Sequence, residues 1–374
     1  MEHVEIYREP GMFAGWPANY GAWAFGDEVV VTFVVGTLRV SGDEALHARD
    51  RSKPFVPCQV RSTDGGSTWT REQFAGPLPG SASLSADEHV DAPLTAARGM
   101  AEGVGAEFVP LEQPIDFTDP ETAVLCGRTG LLAGSRSWFY VSRDRCRSWS
   151  GPHELPSFGR AGIAARTDIV ALSAHEALWL LSAADDVGGE GGTICASTTD
   201  GGRTFELRSE VASGREEYAI MPSTVLMADG ALVSIIRRKD HLAARRSDDE
   251  GRSWTEVCEL VASTGPFGNP GSLVLLDDGV LAVAYGRRSQ PHAMCVRASH
   301  DAGSTWGDEV ALVEVAGSAD FGYPRTAALG PGRFLTVYYS NDADDSERYI
   351  AGVIWEGDDV VRTTASSIQV KVAR

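Results

Sequence analysis

The chain has 374 residues, of which 43% are hydrophobic and 23% charged, and these ordinary globular values exclude a disordered chain. Its 41 glycines have no three-residue period, which excludes collagen, and together with 18 prolines they indicate many turns rather than long helices. The 52 Asp and Glu outnumber the 33 Lys and Arg, and the formal charge of -19 repels polyanions, so we expect no nucleic acid and no membrane as a partner.

The N-terminus and the cysteines bear on the cellular compartment. The first residues, MEHVEIYREP, lack the basic and hydrophobic regions of a secretory signal, and no apolar run approaches ~18 residues. We therefore expect a cytoplasmic protein, or a secreted one if a leader has been removed. The six cysteines include no CxxC pair, which favours buried free thiols over disulfides or a zinc site. Because no ligand-spaced cluster of His, Cys or carboxylates occurs, neither a metal nor an organic cofactor is expected.

Five copies of one short pattern organise the chain. The pattern is Ser or Thr, any residue, Asp, any residue, usually Gly, any residue, Thr or Ser, and then Trp or Phe. The copies span residues 62–69 (STDGGSTW), 142–149 (SRDRCRSW), 198–205 (TTDGGRTF), 247–254 (SDDEGRSW) and 299–306 (SHDAGSTW). Each copy follows one strand-like run and precedes another. Each is therefore predicted to be a hairpin turn, in which the Asp accepts hydrogen bonds from the turn's own amides and the aromatic residue packs beneath.

The pattern resembles the Asp-box, or BNR, repeat of sialidases and other β-propellers, and the resemblance covers essentially the whole chain. It implies that the box aspartates stabilise turns and take no part in catalysis. Two further strand runs lie between successive boxes, for example at 222–238 and 271–288, and each is divided by an Asp-Gly-type turn. Four strands per unit are the composition of a propeller blade.

The two ends of the chain complete the predicted ring. A sixth unit has strand runs at 326–340, 348–355 and 360–365 but no box. A strand near residues 3–8 is expected to pair with this last blade, since ring closure removes exposed sheet edges. We therefore predict an all-β fold, a single six-bladed propeller over residues 1–374 with four antiparallel strands per blade. An insertion at about 71–110, rich in Gly, Ala, Ser and Pro, is either a lid over the site or a long surface loop.

Alternating strand directions predict which loops surround a site. The loops that enter the innermost strands, and those after the second strands, open on the face opposite to the box turns, which we call the funnel face. The candidate residues there are Trp16, Asn19, His47, Asp50, Arg166, Asp168, Tyr218, Met221, Arg237, Arg238, Asn269, Arg287, Arg288, His292, Tyr323 and Arg325. Several arginines thus surround one funnel of an acidic chain, and their planar forks suit a carboxylate or sulfate. Alternatively, they pair with neighbouring acids such as Asp168 and Asp240.

Three positions are similar to those of sialidases, which bind the substrate carboxylate with three arginines and use a tyrosine nucleophile, a glutamate that activates it, and an aspartate as acid/base. Arg237 follows its strand as the second sialidase arginine does, and Arg288, or Arg287, lies near the place of the third. Tyr323 in FGYPRTAAL takes the place of the nucleophile. The chain departs from the pattern twice: FAGWPAN replaces the motif of the first arginine, and Met221 replaces the glutamate.

The chain more closely resembles a group of bacterial BNR proteins described as sialidase-like or as glycosyl hydrolases, through HARDRSKP, GIAARTD, YAIMPSTV, GNPGSLV, AYGRR, FGYPRT and ERYIAGVIW. The resemblance implies an exo-acting glycoside hydrolase whose substrate is an acidic sugar. In that mechanism Asp50, or alternatively His47, is the acid/base, and Tyr323 is the nucleophile or stabilises developing positive charge. The implied substrate-binding residues are Arg166, Asp168, Tyr218, Arg237, Asn269, Arg288 and Arg325.

Two other classes of function stay open. In a polysaccharide lyase, an arginine neutralises the carboxylate of a uronic acid, His47 removes the α proton, and Tyr323 protonates the leaving oxygen, which gives an unsaturated product. Alternatively, the propeller is a non-catalytic module that binds a carbohydrate or a protein. The density of Arg, His, Tyr and Asp on the funnel face favours an enzyme, and the partner expected for it is an acidic oligosaccharide.

Overall fold

The computed structural model describes residues 1–39, 46–53, 55–75, 108–166, 168–185, 189–315, 317–344 and 347–362. These residues form six antiparallel sheets, which are the blades of a β-propeller. The predicted all-β, six-bladed fold is therefore confirmed. Most of the expected insertion, residues 76–107, lies outside the described residues, so the choice between lid and surface loop stays open.

The first two blades follow the N-terminal strand β1 (Glu2–Tyr7). The first blade consists of β2 (Met12–Gly15), β3 (Gly21–Phe25), β4 (Glu28–Thr37), β5 (Val56–Ser62) and β6 (Thr70–Gln73). Its inner strand is split, because β2 and β3 both pair with β4 and a 3-10 turn at Pro17–Asn19 separates them. The second blade shows three strands among the described residues: β7 (Ala123–Arg128), β8 (Ser137–Ser142) and β9 (Ser150–Glu154).

The third blade repeats the split inner strand, whereas the fourth and fifth do not. The third consists of β10 (Gly162–Ala164), β11 (Ile169–Ala171), β12 (Ala177–Ala184), β13 (Gly192–Thr198) and β14 (Glu206–Ala212). The fourth consists of β15 (Ile220–Leu226), β16 (Leu232–Arg237), β17 (Leu242–Ser247) and β18 (Thr255–Val261). The fifth consists of β19 (Gly271–Leu275), β20 (Leu281–Arg287), β21 (Ala293–Ser299) and β22 (Val310–Glu314).

The last blade closes the ring with both ends of the chain. It contains β23 (Gly322–Gly330), β24 (Arg333–Ser340) and β25 (Tyr349–Glu356), and β1 pairs antiparallel with β25 as its outer strand. The expected pairing of the N-terminal strand with this blade is confirmed. The strand expected at 360–365 is wrong for residues 360–362, since residues 357–362 are helical and β1 already occupies the edge of the sheet, and residues 363–365 lie outside the described residues. No helix in the described ranges is long and apolar enough to cross a membrane.

All five Asp-boxes form the predicted turns between the two outermost strands that follow one another in their blades, for example between β5 and β6 and between β8 and β9. In the first, Asp64 Oδ1 accepts the backbone N–H groups of Ser67 (3.1 Å) and Thr68 (2.9 Å), and Oδ2 accepts the Thr68 hydroxyl (2.6 Å). These hydrogen bonds lower the pKa of Asp64 to about 2, so it is a fixed carboxylate. The boxes are therefore turns, as expected.

Burial between neighbouring blades accounts for the long apolar strands. The second strand of the first blade, β4, is buried along nearly its whole length, because adjacent blades cover both faces of its sheet. All six cysteines are free, and five of them are buried, while Cys258 is partly exposed. The expectation of free thiols rather than disulfides is confirmed.

Candidate active site

Three inner strands are distorted where they reach the funnel face. Trp16, Met221 and Tyr323 have φ angles of 60°, 51° and 53°, a left-handed conformation that is rare for bulky residues. Register shifts between Ile220 and Ser223 in β15, and between Gly322 and Arg325 in β23, accompany two of them. Such irregularities re-aim side chains and are concentrated at functional sites.

Tyr323 and Arg237, both predicted site residues, are in direct contact. The guanidinium Nη1 of Arg237 donates to the Tyr323 hydroxyl at 3.0 Å and to the sulfur of Met221 at 3.4 Å. Its Nη2 donates to the carbonyl of Phe267 at 2.8 Å. Met221, which stands where sialidases have the glutamate, therefore contributes a neutral sulfur acceptor.

Arg237 is a buried cation among neutral acceptors. The residue is 8% exposed, and its Nε is buried with no hydrogen-bond partner. Within the described ranges, no carboxylate forms an ion pair with its guanidinium. A buried charge without a counter-charge is costly, so the site is complementary to an anion.

Asn269 and Arg288 are positioned to brace this site rather than to touch a substrate. Asn269 is fully buried, its Oδ1 accepts the backbone N–H of Tyr323 at 2.8 Å, and its Nδ2 donates to the carbonyl of Phe321 at 3.2 Å. Arg288 is 1% exposed and donates to the carbonyls of Phe321 and Gly268. Backbone groups, and for Arg288 also the Tyr339 hydroxyl at 3.1 Å, occupy their polar atoms, and their expected role in substrate binding stays a prediction.

Asp320 forms a buried polar cluster that attaches the loop of the first blade to the last blade. Its carboxylate accepts the backbone N–H groups of His47 (2.7 Å) and Ala48 (2.8 Å) and the Tyr339 hydroxyl (2.8 Å). It also pairs with Arg348 at 2.7 Å, and both of these side chains are 1% exposed. Although burial would raise it, the charge of Arg348 and the hydrogen bond from the backbone N–H of Ala48 hold the pKa of Asp320 well below its usual range.

His47 lies in the site as a neutral ring. Burial lowers its pKa to about 4, outweighing the nearby carboxylate of Asp320. The indole N–H of Trp16, which can only donate, points at His47 Nδ1 at 3.0 Å, so Nδ1 is the acceptor and the ring proton lies on Nε2. The imidazole is 5.7 Å from the Tyr323 ring, centroid to centroid, and its side chain is 23% exposed. His47 therefore offers a hydrogen-bond donor, not a base.

Asp168 is a buried carboxyl group in the break between β10 and β11. Its Oδ2 accepts the Thr224 hydroxyl at 3.0 Å, and its Oδ1 lies 4.0 Å from Arg325 Nη1. Burial raises the pKa of Asp168 to about 7, although Arg325 and Thr224 oppose the shift. A group that is about half protonated at neutral pH can both donate and accept a proton. Asp168, which was predicted to bind substrate, is thus the better candidate for the acid.

Arg166 connects the first, third and fourth blades. It donates to Asn19 (3.2 Å) and to the Ser182 hydroxyl (2.9 Å), and it pairs with Glu190 at 3.4 Å. The Ser182 hydroxyl in turn accepts the backbone N–H of Met221 at 3.2 Å. Arg166 therefore reaches the first blade, where the sequence lacks the first sialidase arginine.

Tyr218 lies beside Arg237 at the edge of the site. The Arg237 guanidinium carbon is 5.5 Å from the centre of the Tyr218 ring, and the Tyr218 hydroxyl donates to the carbonyl of Lys239 at 3.0 Å. Burial raises the pKa of the Tyr218 hydroxyl against the opposing charge of Arg237, and the negative charge of Glu190 adds to the increase. Tyr218 thus stays a neutral side chain that covers one flank of Arg237.

Asp50, the expected acid/base, has a different environment. Its Oδ1 accepts the Ser52 backbone N–H at 3.0 Å and the Ser52 hydroxyl at 2.6 Å, within a local turn. These hydrogen bonds lower the pKa of Asp50. A carboxylate stabilised in this way is a poor proton donor, which favours another residue as the acid, and the role expected of Asp50 stays a prediction.

Sequence reasoning missed four residues of the site: Asp320, Tyr339, Arg348 and Glu190. Arg348 and Asp320 stand inside or beside the motifs ERYIAGVIW and FGYPRT, but nothing in those strings shows that they pair. Among the residues that the structure describes, no group of three or more His, Cys, Asp or Glu is arranged to hold a metal ion.

Comparison with families and curated proteins gives one match. A family model described as "BNR repeat-like domain" matches residues 110–335, which is more than half of the chain. No curated protein matches the chain significantly.

Solved structures share the whole fold at low sequence identity. A protein of unknown function from Dyadobacter fermentans is 20% identical, with a TM-score of 0.68 over 95% of this chain and 98% of that one. An α-L-arabinofuranosidase from Fusarium graminearum is 10% identical, with a TM-score of 0.62 over 96% and 99%. The NanB sialidase from Streptococcus pneumoniae is 11% identical, with a TM-score of 0.63 over 95% and 70%. The fold is thus that of a sialidase-like propeller.

Proposed function

This chain belongs to the family with the BNR repeat-like domain, and on that premise we propose that it is a glycoside hydrolase that removes a carboxylate-bearing sugar from the end of a glycan. The observation that carries the proposal is Arg237, a buried guanidinium that holds the Tyr323 hydroxyl and has only neutral acceptors. A bound carboxylate would supply the counter-charge and accept the unused N–H of this arginine.

Asp168 is the proposed general acid. Protonation of the glycosidic oxygen requires a carboxyl group that still carries its proton near neutral pH, and the pKa of Asp168, about 7 because of burial, meets that requirement. Arg325, 4.0 Å from Asp168, would stabilise the carboxylate that forms once the proton has been transferred. Hydrolysis is favoured over the general-base chemistry of a lyase, because the lone pair of neutral His47 faces Trp16.

Tyr323 is the proposed nucleophile or charge-stabilising group. Arg237 donates to its oxygen, so negative charge that develops on that oxygen is stabilised by a charged hydrogen bond. An uncharged hydroxyl also avoids the repulsion that an anionic nucleophile would meet beside a substrate carboxylate. No carboxylate base within the described residues touches the Tyr323 hydroxyl, so in the nucleophile role its proton passes to solvent water, and Arg237, which cannot act as a base, stabilises the phenolate oxygen.

The structural neighbours support glycoside hydrolysis and leave the sugar open, since one acts as an arabinofuranosidase and another as a sialidase. The carboxylate requirement separates these two possibilities. Wild-type protein should turn over carboxylate-bearing glycosides, such as sialosides and uronides, faster than the same glycosides after esterification or reduction of the carboxyl group.

The matched variants are Arg237→Met and Arg238→Met. Arg238 is the next residue and donates to backbone carbonyls of Ser213 and Glu217 at the rim. Arg237→Met should remove the preference for the carboxylate, whereas Arg238→Met should keep it. Failure of the wild type to hydrolyse any glycoside would refute the proposal. Binding without turnover would identify a binding module, and an unsaturated product that absorbs in the ultraviolet would identify a lyase.

A further inference from the structure

Phe267 is an exposed aromatic side chain on the funnel face. It lies in the loop that enters β19, and it is 64% exposed, the highest value among the large hydrophobic side chains that the structure describes. Its φ of 62° is a conformation that bulky residues rarely adopt. Core packing explains neither feature, because the side chain packs little of its surface against the protein.

The backbone beneath Phe267 is tightly held. Arg237 donates to the carbonyl of Phe267 at 2.8 Å, and Arg288 donates to the carbonyl of Gly268 at 2.8 Å. A Cβ on Gly265 would lie 2.3 Å from the backbone N of Ser289, and one on Gly268 would lie 2.4 Å from the carbonyl oxygen of Lys239. Hydrogen bonds from two buried arginines, and the close packing of Gly265 and Gly268 against neighbouring backbone, thus fix the backbone of this loop so that the Phe267 side chain lies outside the core. A strained backbone conformation persists only where the surrounding contacts hold it in place, and such conformations are concentrated at functional sites.

One guanidinium joins Phe267 to the candidate active site. Arg237 uses Nη2 for the Phe267 carbonyl and Nη1 for the Tyr323 hydroxyl. The backbone of Phe267 is therefore held by the same guanidinium as the group that is proposed to react with the terminal sugar, while its side chain is exposed to solvent.

We propose that Phe267 is a stacking platform for the sugar unit that follows the terminal, carboxylate-bearing one. A sugar ring has an apolar C–H face, and burial of that face on an aromatic ring stabilises the complex without the need for hydrogen bonds. The inference rests on the proposed hydrolase function and adds to it a second subsite. The platform makes the protein selective for an oligosaccharide over a simple glycoside of the same terminal sugar.

The test compares paired probes that differ in the second sugar. The pair is the disaccharide sialyl-α-2,3-galactose with methyl α-sialoside, which bears the same carboxylate but lacks the second sugar. The variants are Phe267→Ala and Phe267→Trp, with Leu207→Ala as the control, since Leu207 is 41% exposed on the outer strand β14. Binding is followed by saturation-transfer NMR and hydrolysis by kcat/KM, so that the two functions are measured separately.

Phe267→Ala should weaken binding of the disaccharide by about tenfold and change binding of the methyl glycoside little, while Phe267→Trp restores disaccharide binding. Leu207→Ala should change neither. An equal effect of Phe267→Ala on both probes, or no effect on either, would overturn the platform. Dimerisation of the wild type that Phe267→Ala abolishes would also overturn it, because the ring would then contact a second copy. Disaccharide binding that depends on Phe267 without hydrolysis would refute the hydrolase and keep the platform.

Discussion

The carboxyl group of Asp168 should make the stability of this protein fall as the pH rises toward neutrality. Burial between β10 and β11 raises its pKa to about 7, whereas an unfolded chain has an Asp pKa of about 3.9. Between these two pH values the folded protein keeps a proton that the unfolded chain has released. The stabilisation is therefore present in full below about pH 4 and is lost as the pH rises through about 7.

The size of the effect follows from the two pKa values. The free energy of unfolding falls by up to about 1.4 kcal/mol per pH unit in this window, and the slope flattens near pH 7. From pH 5 to pH 8 the loss is on the order of 2 to 3 kcal/mol. The variant Asp168→Asn keeps the shape of the side chain but cannot titrate, so this loss should disappear in it.

The assay is urea-induced unfolding of the wild type and Asp168→Asn at pH 5, 6, 7 and 8. Asp50→Asn is the matched control, because hydrogen bonds from Ser52 lower the pKa of Asp50 and keep it ionised over this range. The difference between the wild type and Asp168→Asn should change with pH, and the difference between the wild type and Asp50→Asn should stay constant. Parallel curves for the wild type and Asp168→Asn would mean that Asp168 is ionised throughout and is not the general acid.

Three further variants test the other parts of the site. Tyr323→Phe should lower kcat by about 10²-fold or more while the melting temperature stays near that of the wild type, and full activity in this variant would refute the role of the hydroxyl. Asp320→Asn should destabilise the fold by about 3–5 kcal/mol in chemical denaturation because it removes the buried carboxylate that pairs with Arg348 at 2.7 Å, and an unchanged unfolding midpoint would contradict the proposed cluster. Asp249→Ala should lower the melting temperature and leave kcat unchanged, since its box turn is on the opposite face; a loss of turnover at constant stability would argue against that arrangement.

The turns and strands were predictable because their interactions are local. In each Asp-box the Asp, its Ser or Thr partners and the amides lie within eight consecutive residues, so a short string contains all the atoms that form the turn. The second box confirms this, because Cys146 adopts a left-handed φ angle of 63° where the other four boxes have glycine, and Arg145 has a φ of 58° in the place that Glu250 and Ala302 take in the last two boxes. The regular spacing of these strings then predicted the ring. The extra strand expected after β25 does not form at residues 360–362, because β1 from the other end of the chain occupies that edge of the sheet.

The sequence predicted which loops surround the candidate site, but it did not predict the chemical role of each residue in them. The alternation of strands placed Tyr323, Arg237 and His47 on one face, and the structure brings them together. The roles of these residues depend on contacts between distant segments: Arg237 meets Tyr323 from 86 residues away, and Asp320 meets His47 from 273 residues away. Asp50 and Asp168 are both aspartates near arginines in the sequence. Their pKa values differ because Asp168 is buried, which raises its pKa, whereas hydrogen bonds from Ser52 lower the pKa of Asp50.

The sequence alone determined the fold of this protein, because a repeated local turn and an apolar strand pattern specify a blade wherever they occur. It also determined which face carries the arginines. Only the tertiary structure decided which carboxyl group holds a proton near neutral pH, which arginine lacks a counter-charge, and which nitrogen of His47 carries the hydrogen. These properties depend on desolvation and on partners from other blades, and neither is encoded in the residues next to them.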